Sequence, residues 1–132
     1  MDPARDRWLR LALRLFGVAF LLVYPLMVLW PSGWAWQPRQ HEYELMMVGI
    51  YGTLGVFLLL AARDPGANRS LIWFTVWSSV VHGGIMAVQA LVDPAEHGHL
   101  PGDVAALLLV AAVLGALAPR GAAAPRSLVD AT

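Results

Sequence analysis

Residues 71–92 have the sequence LIWFTVWSSVVHGGIMAVQALV, which contains no acidic residue and no arginine. An α-helix of about 20 mainly apolar residues crosses the hydrocarbon core of a bilayer. Three further uncharged apolar stretches occupy residues 15–30, 45–62 and 104–118. A soluble domain of this size could not bury four such stretches, so the sequence predicts that lipid surrounds most of the chain.

The predicted fold class is all-α, a four-transmembrane-helix antiparallel bundle. We expect spans at about residues 9–30, 43–62, 71–92 and 104–118 of a single domain that covers residues 1–132, with 119–132 as a short flexible C-terminal tail. Pro25 predicts a kink in the first span, because proline has no N–H to donate to the preceding turn. The last span is short, and Asp103 is expected to cap its N-terminus.

The composition restricts the classes of partner and cofactor. Hydrophobic residues make up 58% of the chain and charged residues 14%, against about 25% charged in typical soluble domains. The formal net charge is zero, so no basic face is available for nucleic acid, and we expect the lipid bilayer as the main partner. The chain has no cysteine, which excludes disulfides, thiolate sites and iron–sulfur clusters on it.

The arginines are distributed unevenly between the predicted loops. Eight of the nine precede the first span, follow the fourth or lie in the loop at 63–70, and only Arg39 lies on the other side. Cytoplasmic loops of membrane proteins carry such an excess of positive charge. The sequence therefore predicts that both termini face the cytoplasm and that the loops at 31–43 and 93–103 face outward.

Polar side chains form a stripe on each of two predicted spans. The separation of seven residues from Glu44 to Tyr51 equals that from His82 to Gln89, and the two spans run in opposite directions. We therefore expect Tyr51 and His82 to meet within the membrane. The predicted polar seam consists of Glu44, Tyr51, Thr75, Ser78, His82 and Gln89. Such a seam serves helix packing or a transport path, and the sequence leaves both open.

Histidines and acids also collect in the predicted outer loops. Imidazole and carboxylate groups are ligands for divalent metals such as zinc or copper. A solvated acidic loop is the simpler interpretation, because His97 and His99 are not spaced as a helical ligand pair. The alternative is a metal site, with candidate ligands His41, Glu96, His97, His99 and Asp103.

His82 has a further candidate role as the axial ligand of a haem or chlorophyll. It is followed by Gly83 and Gly84 and preceded by Ser78 at i−4, and small neighbours leave room for a flat macrocycle. The spacing is similar to that of light-harvesting polypeptides over one helical turn. A tetrapyrrole is thus a second candidate cofactor beside a divalent metal.

Two stretches support a resemblance to a known family. These are Gly49-Ile50-Tyr51-Gly52-Thr53-Leu54-Gly55-Val56-Phe57 through Arg63-Asp64-Pro65, and Ser70-Leu71-Ile72-Trp73-Phe74-Thr75-Val76-Trp77-Ser78-Ser79 through His82 and Gln89. Together they resemble a family of small bacterial four-helix integral membrane proteins of unknown function, over about residues 30–118. The resemblance supports the four spans only, while the apolar spans and the arginine distribution predict a location in the bacterial inner membrane. It implies no activity.

Three functional hypotheses follow. The first is a non-enzymatic accessory or scaffold subunit that packs against itself or a larger membrane complex through faces of small residues. The second is a small proton- or cation-coupled carrier with Glu44, Tyr51, His82 and Gln89 along its path. The third is a metal-, haem- or chlorophyll-binding membrane protein. The sequence favours a role without catalysis, because it contains no nucleophile–base set and no phosphate-binding loop.

Overall fold

The computed structural model describes residues 1–121, and every regular element in this part of the chain is a helix, with no strand. A short 3₁₀ segment and a π-helical turn connect the last two α-helices. In chain order the elements are α1 (Pro3–Leu21), α2 (Val23–Leu29), α3 (Pro31–Trp34), α4 (His41–Ala61), α5 (Arg69–Val92), the 3₁₀ segment (Pro94–His99), the π turn (Leu100–Val104) and α6 (Ala105–Leu117).

Three helices in residues 1–121 are long and apolar enough to cross a membrane. They are α4, α5 and the helical stretch Pro94–Leu117, which is kinked at Gly102. A fourth span exists if α1 and α2 count as one, although their axes differ by 54°. The predicted kink at Pro25 is thus a break at Leu22, because Pro25 has no N–H for the carbonyl of Leu21.

The fourth predicted span is longer in the structure than the 104–118 stretch. Helical turns begin at Pro94, so the stretch has 24 residues and is long enough to cross a membrane by length and composition. The prediction that Asp103 caps α6 is wrong, since no side chain caps that helix. Its carboxylate lies 2.9 Å from Nδ1 of His99 instead.

The long helices associate in two tight pairs. In the first, a Cβ added to Gly55 of α4 would lie 2.6 Å from the carbonyl oxygen of Gly17 of α1, so only glycine permits this approach. In the second, Gly83 of α5 lies against Leu107 of α6. By contrast, α4 and α5 touch at few places although a turn of only a few residues joins them. A space therefore remains between the two pairs.

Arginine side chains close one end of the helix assembly, which we call the arginine-rich end. Arg5 donates hydrogen bonds to the carbonyls of Leu117 and Ala118 at the end of α6, and Arg10 donates to those at the end of α4. Guanidinium groups thus satisfy carbonyls that a helix C-terminus leaves unbonded. Arg126 and most of the predicted tail at 119–132 lie outside the described residues.

The densest packing lies in the half nearer the arginine-rich end. Five large side chains there have no exposed surface, and they come from four different helices. Close packing of this kind fixes the helices at that end, while the opposite half contains the space between the pairs. The five residues are Leu9, Leu13, Leu58, Ile72 and Leu114.

Candidate functional site

A cavity of about 590 Å³ occupies the space between the two helix pairs. Side chains from α1, α2, α4, α5 and α6 contribute to its wall, together with Trp34, Trp36 and Asp103. Most of the wall is apolar, and three flexible methionines, Met27, Met47 and Met86, are part of it. Polar groups lie in two places along it, near its middle and at the end that carries the tryptophans.

The polar group deepest in the cavity is the pair Tyr51 and His82. The Tyr51 hydroxyl and Nδ1 of His82 form a hydrogen bond, and their ring centroids are 5.8 Å apart. Phe20 of α1 packs against the other side of the Tyr51 ring, with a centroid distance of 5.2 Å. This contact is the one that the matched residue separations on the two spans predict. It links α4 to α5 across the cavity.

The second polar group lies at the start of α4. Arg39 donates two hydrogen bonds to Glu44, from Nε to Oε1 at 3.0 Å and from Nη2 to Oε2 at 2.8 Å. The Glu44 side chain is 13% exposed and that of Arg39 is 45% exposed. The hydrogen bonds from its guanidinium to Glu44 raise the pKa of Arg39 above its ordinary value. Glu44 therefore faces the cavity as a carboxylate that holds an arginine.

The structure brings four of the six predicted seam residues to the cavity wall: Glu44, Tyr51, His82 and Gln89. Thr75 and Ser78 do not line it. Thr75 is buried and donates to the carbonyl of Leu71, and Ser78 donates to that of Thr75. A hydroxyl in a helix can bond to its own backbone in this way, so it needs no partner on another helix. The face of α5 that carries the predicted polar residues therefore lines the cavity only in part.

The predicted metal site is not assembled in the structure. His97 is exposed, and His41 is also exposed, with its Nδ1 3.9 Å from Oε2 of Glu44. Within residues 1–121, no group of three or more histidine or acidic side chains has an arrangement that could hold a metal ion. His41 and His97 therefore do not join the other three candidates, which lie close together.

Three of those candidate ligands form a buried cluster of another kind. His99 is fully buried, with Nδ1 2.9 Å from Asp103 and Nε2 3.2 Å from Oε2 of Glu96. The indole of Trp36 stacks on the His99 ring at a centroid distance of 4.1 Å, and the Gln37 backbone N–H donates to Glu96. We call these residues the His99 cluster. Because Trp36 stacks on His99 and Gln37 donates to Glu96, the cluster fastens the 35–40 loop to the 94–104 segment.

The surroundings of His82 bear on the tetrapyrrole hypothesis. Gly83 does not provide free space, because a Cβ there would lie 3.2 Å from Leu107 of α6. Nδ1 of His82 is engaged by Tyr51, so only Nε2 remains as an axial ligand atom. The space at Gly84 is open, but this glycine does not line the cavity.

The sequence did not point to the aromatic contribution of the 34–36 segment. Tryptophans at the end of a span are usually interfacial anchors, yet Trp34 and Trp36 both line the cavity. Nε1 of Trp34 is buried and has no hydrogen-bond partner within residues 1–121. Asp103 also lines the cavity, although the sequence suggested only a cap or a metal ligand. The only sequence signal for this aromatic wall was a pair of closely spaced tryptophans shortly before the acidic residues that begin α4.

Comparison with known proteins identifies a family but no activity. No curated protein and no solved structure matches the chain. A family of unknown function, DUF6632, matches residues 4–131 and therefore covers α1 to α6 and every residue of the cavity wall. Because the match extends over nearly the whole chain, the protein belongs to this family of unknown function.

Proposed function

We propose that the chain crosses the cytoplasmic membrane of a bacterium four times as an antiparallel bundle, with both termini in the cytoplasm. Large apolar side chains on the long helices point outward: Ile50 is 63% exposed, and Phe74 and Trp77 are each 62% exposed. In water such surfaces would associate, whereas in lipid they are solvated. The arginine-rich end agrees with the cytoplasmic side of the positive-inside rule.

The absence of cysteine allows a direct test of this topology. Single substitutions Ala4→Cys and His97→Cys place a thiol at exposed positions at opposite ends of the helix assembly. A membrane-impermeant maleimide added to intact cells should label the cysteine at 97 and leave that at 4 unlabelled. Labelling of position 4 before the membrane is permeabilised would refute the orientation.

Within this membrane frame, the protein binds a small, mainly apolar molecule in its cavity, as a binding protein or carrier. The observation that supports this role is the cavity itself. Its volume of about 590 Å³ lies in the range of small-molecule sites, which are largely apolar with a few placed polar groups. Helical membrane proteins of this length gain stability from close packing, so a scaffold has no need of such a space.

The carrier hypothesis is favoured over a pure scaffold for a second reason. Glu44, Tyr51, His82 and Gln89, the residues of the predicted path, all lie on the wall of this one cavity. The scaffold hypothesis keeps one specific support. Gly49 and Gly52 of α4 face open space, so a second copy or a partner helix has room to approach there.

A pair of matched alanine substitutions tests the binding role. Ala106 lines the cavity, whereas Ala112 is on the same helix and is exposed. Native mass spectrometry of the protein in lipid nanodiscs should detect a retained small molecule in the wild type and in Ala112→Phe. The Ala106→Phe variant should lose it, because a phenyl ring fills part of the cavity. Equal retention by both variants would show that the molecule binds elsewhere.

The metal and pigment hypotheses have less support from the geometry. Elemental analysis and an absorbance spectrum of the same purified sample test them directly. A stoichiometric metal, or an absorption band at visible wavelengths that His82→Ala removes, would favour them over the binding role described above.

A further inference from the structure

The charge on the cavity wall restricts the chemistry of its occupant. Two carboxylate side chains, Glu44 and Asp103, contribute to the wall. Among the described residues that line it there is no arginine, and the chain has no lysine. A carboxylate or phosphate on the ligand would therefore meet like charges on the wall, because the nearby guanidinium of Arg39 is already paired with Glu44 and does not line the cavity. The wall favours a ligand that is neutral or positively charged.

The aromatic residues near the carboxylates distinguish between these two possibilities. Trp34, Trp36 and Tyr43 line the cavity at the same end as Glu44. The faces of aromatic rings attract cations, and the attraction increases where water is excluded. Flexible methionines complete the apolar part of the wall and adapt to differently shaped bodies. Carboxylate, indole and thioether groups together are suited to an organic cation with an apolar body.

The protein already holds a cation at one of these carboxylates. The Arg39 guanidinium makes a two-fold hydrogen bond with Glu44, yet Arg39 itself belongs to the 35–40 loop and does not line the cavity. Nearly half of its side chain is exposed, while Glu44 is largely covered. Because the arginine side of this ion pair is open to solvent, another cation can compete with Arg39 for Glu44.

We propose that the cavity takes an amphipathic organic cation, such as an aromatic phosphonium or quaternary ammonium, whose charge replaces the Arg39 guanidinium beside Glu44. Its apolar body then extends toward Tyr51 and His82, about 10 Å deeper by the helical rise over seven residues. This inference depends on the proposed binding role and adds the charge and orientation of the ligand to it.

A matched pair of probes tests the inference. Tetraphenylphosphonium is cationic, and triphenylphosphine oxide is a neutral molecule with a similar aromatic body. Isothermal titration calorimetry on the full chain in zwitterionic nanodiscs measures both affinities, and empty nanodiscs give the partition background. Glu44→Gln should weaken tetraphenylphosphonium binding by about tenfold or more, because a charged partner is lost. Arg39→Gln should strengthen it by about two- to fivefold, because the competing guanidinium is gone.

Controls separate this site from general attraction to acidic groups. Glu42 is exposed, does not line the cavity and is close to Glu44 in sequence, so Glu42→Gln should leave both affinities unchanged. Ala106→Phe should weaken both probes, and Ala112→Phe should weaken neither. Thermal unfolding of each variant checks that it is folded, and the exposed Arg39→Gln variant gives an independent result if Glu44→Gln does not fold.

Each outcome has a distinct meaning. If triphenylphosphine oxide binds in the cavity and tetraphenylphosphonium does not, the cation inference is wrong and the binding role stands. If Glu44→Gln and Glu42→Gln behave alike, or Arg39→Gln weakens the cation, the assignment of the charge to Glu44 is wrong. If neither probe binds and no retained molecule is found, both proposals are refuted.

Discussion

The contact between Gly17 and Gly55 predicts the effect of adding one methyl group to the α1–α4 interface. In Gly55→Ala the new Cβ would lie 2.6 Å from the carbonyl oxygen of Gly17 and 3.2 Å from Cγ of Leu21. The first contact is with backbone, which cannot rotate away, so the two helices must separate. Overpacking of this kind costs about 1–3 kcal/mol.

Two glycines on the same helix provide the control. A Cβ on Gly49 or Gly52 would meet nothing within 4 Å. All three substitutions share the helical preference for alanine over glycine, about 1 kcal/mol in water. The difference in free energy of unfolding between Gly55→Ala and Gly52→Ala therefore isolates the overpacking term, and we expect it to be about 1–3 kcal/mol.

The measurement is reversible unfolding in mixed micelles, followed by far-ultraviolet circular dichroism as denaturing detergent is added. We expect Gly55→Ala to unfold at the lowest fraction of denaturing detergent and the other two variants to unfold at or above the wild-type value. If Gly55→Ala and Gly52→Ala unfold together, the close approach of α1 and α4 is not the basis of their association, and the two-pair arrangement loses its main support.

Three further predictions concern hydrogen bonds, each measured by the same unfolding assay. Arg5→Gln should lower stability by about 1–2 kcal/mol, because α6 loses a charged partner at its C-terminus, whereas the exposed Arg7→Gln should have no effect. Tyr51→Phe should lower the free energy of unfolding by about 0.6 kcal/mol and at most by about 1.7 kcal/mol, because the hydrogen bond to His82 is lost. Tyr24→Phe, on an exposed ring, should leave the free energy of unfolding unchanged, and equal effects of the two substitutions would refute the contact across the cavity. His99→Phe should lower the free energy of unfolding by about 1–3 kcal/mol, because the buried carboxylate of Asp103 loses its hydrogen bond to the imidazole, and an unchanged stability would contradict the His99 cluster.

Much of the helical pattern could be predicted from the sequence, because an apolar run of sufficient length has few alternatives. The predicted second span, 43–62, corresponds to α4, His41–Ala61, and the third, 71–92, to α5, Arg69–Val92. The ends of the first and fourth spans were less predictable. Proline broke the first at Leu22, and the 94–104 segment continued the helix through polar residues that the hydropathy pattern did not favour.

The candidate site was only partly predictable, for a physical reason. Depth in a membrane follows from residue number at a fixed rise, so Tyr51 and His82 could be paired from two spans alone. The conformation of a loop cannot be obtained from residue number in this way. The close approach of Gly33 and Gly102, which brings α3 against the 94–104 segment, depends on one glycine in α3 and one in the π turn. The stacking of Trp36 on His99 depends in turn on that approach, so this contact could not be predicted from the sequence.

The distribution of small residues explains why a cavity exists where α4 and α5 face each other. Gly55 draws α4 onto α1, and Gly83 draws α5 onto α6, so each of the two helices is already paired. The short turn between them keeps their ends together but cannot close the rest of their length. What joins them across the gap is a hydrogen bond between Tyr51 and His82, which is worth far less than a packed interface. A ligand that enters between the pairs therefore has little protein contact to displace, and this makes the α4–α5 face the part of the molecule best suited to bind and release one.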